Sequence, residues 1–199
     1  MIIRQLEVGA MDNFSYLVGC TETRKAMVID PGGDVDKILS AARSEGLSIE
    51  IILNTHGHGD HTAGNAALQA RTGARILIHA ADAGGIRADG LLSDGDRLQV
   101  GELSVEVIHT PGHTPGGICL YTEGHLFTGD TLFVGDSGRT DLPGGDRPTL
   151  GASIRRLMAL PEDTVVWPGH DYGPTPSSTL AWEKRHNVNA REYGYYVES

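Results

Sequence analysis

Seven consecutive residues, Thr55-His56-Gly57-His58-Gly59-Asp60-His61, restrict this chain more than any other stretch. They crowd three imidazoles and a carboxylate into one loop, and those are the donors that a divalent metal takes. The run follows Ile51-Ile52-Leu53, a short apolar segment that reads as a buried strand. Ligands just past a strand end sit at the mouth of an α/β sheet, where binding sites gather. A merely polar loop or an artificial tag would not carry the internal aspartate, the glycine spacing or the partners found downstream.

Those partners occupy three segments of the same form. His113 lies in Thr110-Pro111-Gly112-His113-Thr114-Pro115-Gly116, after a strand that ends near His109. Asp130 lies in Phe127-Thr128-Gly129-Asp130-Thr131, again after an apolar strand. His170 lies in Trp167-Pro168-Gly169-His170-Asp171-Tyr172, once more at a strand end. Each alone reads equally well as a turn residue bonded to backbone. Four loops built as strand, glycine and donor point to one shared site. Glycine in such loops lets the backbone approach a ligand closely. His79, His109, His125 and His186 fall outside this pattern and read as structural or exposed. His79 and His109 sit at strand ends near the expected site, where they could support a ligand from behind.

The remaining segments alternate between strand and helix signals. Strands are expected at Ile2–Val8, Phe14–Gly19, Ala26–Asp30, Ile49–Asn54, Arg75–His79, Leu103–His109, Gly117–Tyr121, His125–Thr128 and Thr164–Trp167. Val35, Ile38, Leu39 and Ala42 share one helical face, with Asp34 placed to cap the start and Gly46 to end it. A second helix is expected over Ala63–Thr72, stopped by Gly73. A third carries Leu150, Ile154, Leu157 and Met158 between Pro148 and Pro161, and a terminal helix spans about Thr179–Val188. Many strands with interspersed helices predict a layered α/β (α+β) domain with helices outside packed sheets. The 199 residues suit one domain, 1–199, with a short C-terminal helix and tail at about 177–199.

A formal net charge of -10 argues against nucleic acid or an anionic membrane as partner. No apolar run reaches the length of a membrane span, and the start lacks the basic and apolar regions of a secretory signal, so a cytoplasmic location is expected. Cys20 and Cys119 are far apart and flanked by apolar residues, which predicts core thiols and neither a disulfide nor a thiolate metal site. The aromatic tail Tyr193-Gly194-Tyr195-Tyr196-Val197 could pack on its own core or on a second copy in a homo-oligomer.

The combination His-x-His-x-Asp-His, a later His, a later Asp and a final His resembles the metallo-β-lactamase superfamily over residues 2 to 188. The resemblance implies an αββα sandwich with a metal site along one edge between the sheets. It implies His56, His58 and His113 as ligands of a first ion, Asp60, His61 and His170 as ligands of a second, and Asp130 as the bridge. Two divalent ions follow as cofactors, zinc first, with iron or manganese as alternatives for an all-N/O site. Aspartate at the bridging position speaks against antibiotic hydrolysis. Nuclease and flavin-linked members carry further domains.

The segments Phe127-Thr128-Gly129-Asp130-Thr131-Leu132-Phe133 and Ser137-Gly138-Arg139-Thr140-Asp141-Leu142-Pro143-Gly144-Gly145-Asp146 resemble the hydroxyacylglutathione hydrolases (glyoxalase II), in their short form. That resemblance implies hydrolysis of a small-molecule thioester such as S-D-lactoylglutathione by a hydroxide shared between the ions. Asp60 and Asp130 would then serve catalysis as ligands and not as free bases. Ser137 departs from the cysteine of many relatives. Without the helical domain that supplies basic residues in longer relatives, Lys184 and Arg185 are candidates to pair with a substrate carboxylate. Arg139 and Tyr172 are further candidates for substrate contact, although Arg139 can instead brace its loop through Asp141. The persulfide dioxygenases share most of these motifs. That second reading puts one iron on His56, His113 and Asp130. Lactonases and other hydrolases of the superfamily form a third.

Overall fold

A strand that is apolar on both faces must be covered on both, and this requirement organises the molecule. The computed structural model describes residues 1–198. Its strands are β1 (Ile2–Val8), β2 (Asn13–Gly19), β3 (Lys25–Ile29), β4 (Ser48–Leu53), β5 (Arg75–His79), β6 (Gly90–Leu92), β7 (Arg97–Val100), β8 (Leu103–His109), β9 (Ile118–Thr122), β10 (His125–Gly129), β11 (Leu132–Phe133), β12 (Asp136–Ser137), β13 (Val165–Pro168) and β14 (Ser178–Thr179). β1 to β6 form one sheet in sequence order. The second sheet runs β14-β13-β10-β9-β8-β7, and β11 pairs with β12 in a small hairpin.

Alternation along the strands assigns the layers. Phe14, Tyr16 and Val18 of β2 point between the sheets with Ile51, Leu53, Val105, Val107, Leu120 and Phe127. Leu17, Val28, Ile49 and Ile52 point outward, under the helices α1 (Val35–Ser44), α2 (Gly59–Thr62) and α3 (Asn65–Thr72), with Ile38 and Leu68 as the helical contribution. Ile49 and Ile51 would share a face in a regular strand. A register shift opposite Ala26 and Met27 turns them to opposite faces. On the far side, α4 (Arg147–Leu157) and α5 (Leu180–His186) cover Ile108, Cys119, Leu126 and Val166 with Leu150, Ile154, Leu157 and Leu180. The result is the expected αββα sandwich.

Strand direction gathers the loops. β3, β4, β5 and β6 are mutually parallel. In the second sheet β8 and β10 each run antiparallel to β9, and β13 is parallel to β10. The C-terminal ends of β8, β10 and β13 therefore emerge together. The two edges are tied by Ile118 N–H donating to the Thr55 carbonyl (2.9 Å) and Phe14 N–H to the Gly169 carbonyl (2.8 Å).

Several local expectations are corrected. Asp34 stands at the N-cap of α1, with its carbonyl accepting the Lys37 N–H at 2.8 Å, but its side chain does not cap the helix: the residue adopts φ 45° and its carboxylate accepts the Gly9 N–H at 2.9 Å instead. The helix expected over Ala63–Thr72 starts two residues later, at Asn65, because Gly64 N–H turns out to the Pro31 carbonyl at 2.7 Å and separates α3 from the short α2 before it. The strands β6, β7, β11, β12 and β14 are only 2 to 4 residues long, too short for a periodic pattern to signal them. The tail packs on its own chain, with Tyr193 and Tyr195 buried against the α4 and α5 layer. Cys20 and Cys119 are buried free thiols. Among the described residues no helix is long and apolar enough to cross a membrane.

Leu120 is fully buried between the sheets. Leu120→Ala is expected to destabilise the fold by about 2–5 kcal/mol. Chemical denaturation should show this as a lower midpoint with an unchanged slope.

Candidate metal centre

Seven donor residues reach this shared edge from both sheets. His56, His58, Asp60 and His61 follow β4, His113 follows β8, Asp130 follows β10 and His170 follows β13. His61 and His170, 109 positions apart in sequence, thus become neighbours because their strands end side by side.

These seven donors form two groups around Asp130, and a third, overlapping set joins Asp30 with His56 and His61. His58 Nδ1 lies 3.0 Å from both His56 Nε2 and His113 Nε2. His61 Nε2 and His170 Nε2 lie 3.1 Å apart, with Asp60 Oδ2 at 3.4 and 3.5 Å from them. Asp130 Oδ2 stands between the groups, 3.5 Å from His113 Nε2 and 3.3 Å from His170 Nε2, while its Oδ1 is 3.3 Å from His61 Nε2. An ion about 2.0–2.1 Å from each nitrogen of a tetrahedral site sets those nitrogens roughly 3.3 Å apart. The observed spacings match that edge. Asp130 Oδ1 is also buried without a hydrogen-bond donor, a costly state for a carboxylate unless a cation meets it. The residues fit a pair of divalent ions.

Ring tautomers follow from what stands behind each histidine. His113 Nδ1 donates to the Arg139 carbonyl (2.7 Å) and His170 Nδ1 to the Met11 carbonyl (2.8 Å). His61 Nδ1 donates to Asp30 Oδ2 (3.0 Å). Thr55 Oγ1 gives its proton to Asp30 Oδ2 and so accepts from His56 Nδ1 at 3.1 Å. With these four Nδ1 atoms donating to groups behind them, their Nε2 atoms are the ones that face the site. His58 is reversed and presents Nδ1.

Electrostatics agree. Burial holds the His56 pKa well below the usual imidazole range, helped by the neighbouring His61. Burial works against a charged His61, but Asp130 and Asp30 overcome it and raise this pKa to about 9. Burial likewise opposes the Asp130 anion, yet His61 and His170 push its pKa below the usual carboxylate range. The pocket is built for opposite charges held out of water.

Asp30 and Asn13 escaped the sequence reading. Asp30 binds Thr55 N–H (2.7 Å), Thr55 Oγ1 and His61, and Asn13 Nδ2 donates to Asp60 Oδ2 (2.9 Å). The signal for Asp30 was present: Val28-Ile29-Asp30-Pro31-Gly32 is another strand followed by a donor and glycine. Asn13 is the polar first residue of β2 and had no such mark.

A cavity of about 480 Å³ opens in front of the donors. Met11, Phe133 and Leu142 give it an apolar wall, and Ser137, Arg139 and Tyr172 also line it. Tyr172 stacks on His170 with ring centroids 4.6 Å apart. Arg139 pairs with Asp141 through two bonds of 2.6 and 2.7 Å, so its side chain braces the loop while its carbonyl orients His113. Lys184 and Arg185 do not reach the cavity. α5 lies on the outer face of the second sheet, where Lys184 meets Glu162 at 3.0 Å and Arg185 is exposed. His79 and His109 touch no donor ring; they stack on each other at 4.2 Å.

Comparison with known proteins agrees with this geometry. The family model of the metallo-beta-lactamase superfamily matches residues 8–170. A hydroxyacylglutathione hydrolase of Polaromonas sp. is 45% identical, over 86% of this chain and 67% of its own length. One from Rhodospirillum rubrum is 43% identical, over 85% and 66%. The chain thus spans about two thirds of the length of these curated relatives. Among solved structures, ETHE1 from Myxococcus xanthus superposes with a TM-score of 0.91 at 36% identity, covering 99% of this chain and 88% of that one. TTHA1623, solved in a di-iron-bound form, gives 0.81 at 34% identity over 93% and 98%. By sequence, by fold and by the donors gathered at the sheet edge, this chain belongs to the metallo-β-lactamase superfamily.

Proposed function

We propose that the chain is a binuclear metallohydrolase that cleaves a thioester of the S-D-lactoylglutathione type. One observation carries the reading: two complete donor groups face each other and share Asp130. The 45% identity to a hydroxyacylglutathione hydrolase supports the thioester class. Two divalent ions, zinc first and iron or manganese as alternatives, would supply a hydroxide at neutral pH and a Lewis-acid contact for the substrate carbonyl.

The chain's own residues do the positioning. His56, His58 and His113 would hold one ion, Asp60, His61 and His170 the other, and Asp130 both. Neither carboxylate is free to act as a base, since Asp60 is tied to Asn13 and Asp130 is enclosed by histidines. Met11, Phe133 and Leu142 offer the acyl carbons an apolar wall that excludes water. The departing thiol needs no proton donor from the chain, because a thiolate is stable at a pH near its ordinary pKa of about 8.5. Tyr172 and Arg139 lie where the thiol portion would extend. The Arg139–Asp141 pair is exposed and would have to open for its guanidinium to take a substrate carboxylate. Two buried free thiols suit a reducing compartment and the expected cytoplasmic location.

A second reading, a dioxygenase acting on glutathione persulfide with one iron on His56, His113 and Asp130, fits the ETHE1 neighbour. It leaves His61 and His170 aimed inward to no purpose, and for that reason ranks second.

Elemental analysis with a hydrolysis assay separates the two. About two ions per chain with cleavage of S-D-lactoylglutathione is the expected result. One iron per chain, no cleavage and oxygen uptake with glutathione persulfide would reverse the order. Asp30→Asn should weaken metal binding about 10–100-fold, read by chelator competition, because His56 and His61 lose their shared anchor. Lys184→Ala and Arg185→Ala should leave kcat/KM within about twofold, since neither side chain reaches the cavity. A larger loss in either would place a substrate carboxylate at α5.

A further inference from the structure

The histidines grouped around His58 Nδ1 come from different sheets: His56 and His58 follow β4 of the first, and His113 follows β8 of the second. Nothing in strand pairing sets the distance between them. A sandwich of two sheets can slide by fractions of an ångström without breaking a ladder bond, and metal sites tolerate little of that. The Ile118 N–H to Thr55 carbonyl bond ties the β4 loop to the second sheet at its base, and a contact nearer the donors is needed to fix the span.

Asp82 makes such a contact. It ends the short 3-10 turn Ala80–Asp82 after β5, and no sequence motif marks it. Its Oδ2 accepts the Gly57 N–H at 3.0 Å, and its Oδ1 accepts the Gly116 N–H at 2.6 Å. Gly57 stands between His56 and His58, while Gly116 closes the turn that carries His113. One carboxylate therefore spans the two loops that must agree.

The neighbouring atoms confirm how close the fit is. A Cβ on Gly57 would lie 2.7 Å from the Asp82 carbonyl oxygen, and one on Gly116 would lie 2.6 Å from Asp82 N and Oδ1. Glycine is needed at both positions because Asp82 occupies the space. The stacked pair His79 and His109 crosses between the same strands, β5 and β8, and backs the contact. His79 Nδ1 accepts the Ala81 N–H at 3.2 Å and holds the Asp82 turn. His109 Nε2 donates to the Pro115 carbonyl at 2.9 Å and holds the His113 turn.

We propose that Asp82 is a positioning residue that clasps the β4 and β8 loops and sets the geometry of the group His56, His58 and His113. The inference rests on reading that group as a metal site, and it is independent of the substrate. Its chemical basis is that a carboxylate has two acceptor oxygens, whereas an amide of the same shape has one and turns an N–H toward the other loop's N–H. The second group, His61, His170 and Asp60, has no contact with Asp82 and should be indifferent to it.

The test is stepwise titration of metal-free wild type, Asp82→Asn and Asp82→Ala with cobalt(II), followed by its visible absorption and by competition with a chelator. Expected is a loss of about 10–100-fold in affinity for one ion in both variants, with an altered band for that ion. The other ion should bind within about twofold of wild type, and the metal-free variants should remain folded by circular dichroism. Equal affinities for both ions in variants and wild type would overturn the clasp and leave the metal site intact. Equal weakening of both ions, or unfolding of both metal-free variants, would make Asp82 a structural residue and overturn it too. A wild type that takes up no cobalt would overturn the metal reading itself, and the clasp with it.

Discussion

Asp130 is a carboxylate buried at the meeting point of two sheets, and an isolated anion could not survive there. Its charge is met by His61 and His170, while His56 and His113 complete the enclosure. Everything at this edge follows from that arrangement. Histidines close to the anion must present nitrogens inward, and each must have its opposite nitrogen tied to a carbonyl or carboxylate behind it. A divalent ion in each group would satisfy Asp130 Oδ1, the inward nitrogens and the charge balance together.

The sandwich is what brings these groups into one place. Parallel pairing of β3 to β6 and of β10 with β13 sends the strand ends of both sheets to one edge. The interior between the sheets is apolar and closely filled, so the donors lie on a firm base and not on a mobile loop cluster. The layer behind the donors is polar and specific. Asp30 joins β3 to the β4 loop, and Asp82 joins the β4 loop to the β8 loop. Short side chains at strand ends thereby convert a packing of sheets into a defined set of distances.

Much of this was legible from residue order. Seven donors declared themselves because each stands in a strand, glycine and donor segment, and the nine main strands showed alternation or apolar runs. What escaped had physical reasons. Asp34 looked like a helix cap, but a backbone N–H from residue 9 competes for its carboxylate, and local rules do not see such distant donors. Gly64 interrupts a helical pattern because Pro31 offers it a better-placed acceptor. Lys184 and Arg185 looked suitable for a substrate carboxylate, yet the face of α5 that Leu180 buries sends them to the far side of the sheet. Asp82 lies in a turn without periodicity, and only its neighbours reveal its contacts.

By itself the order of residues determined the donor types, their division between four loops and the layered α/β class, since those depend on chemistry and periodicity within short windows. Tertiary structure alone decided which donors share an edge, how the rings are turned and what stands behind them. It also decided that the cavity presents an apolar wall and a braced guanidinium in place of free cations. Those features depend on distances between segments tens of residues apart, and such distances exist only once the sheets have packed.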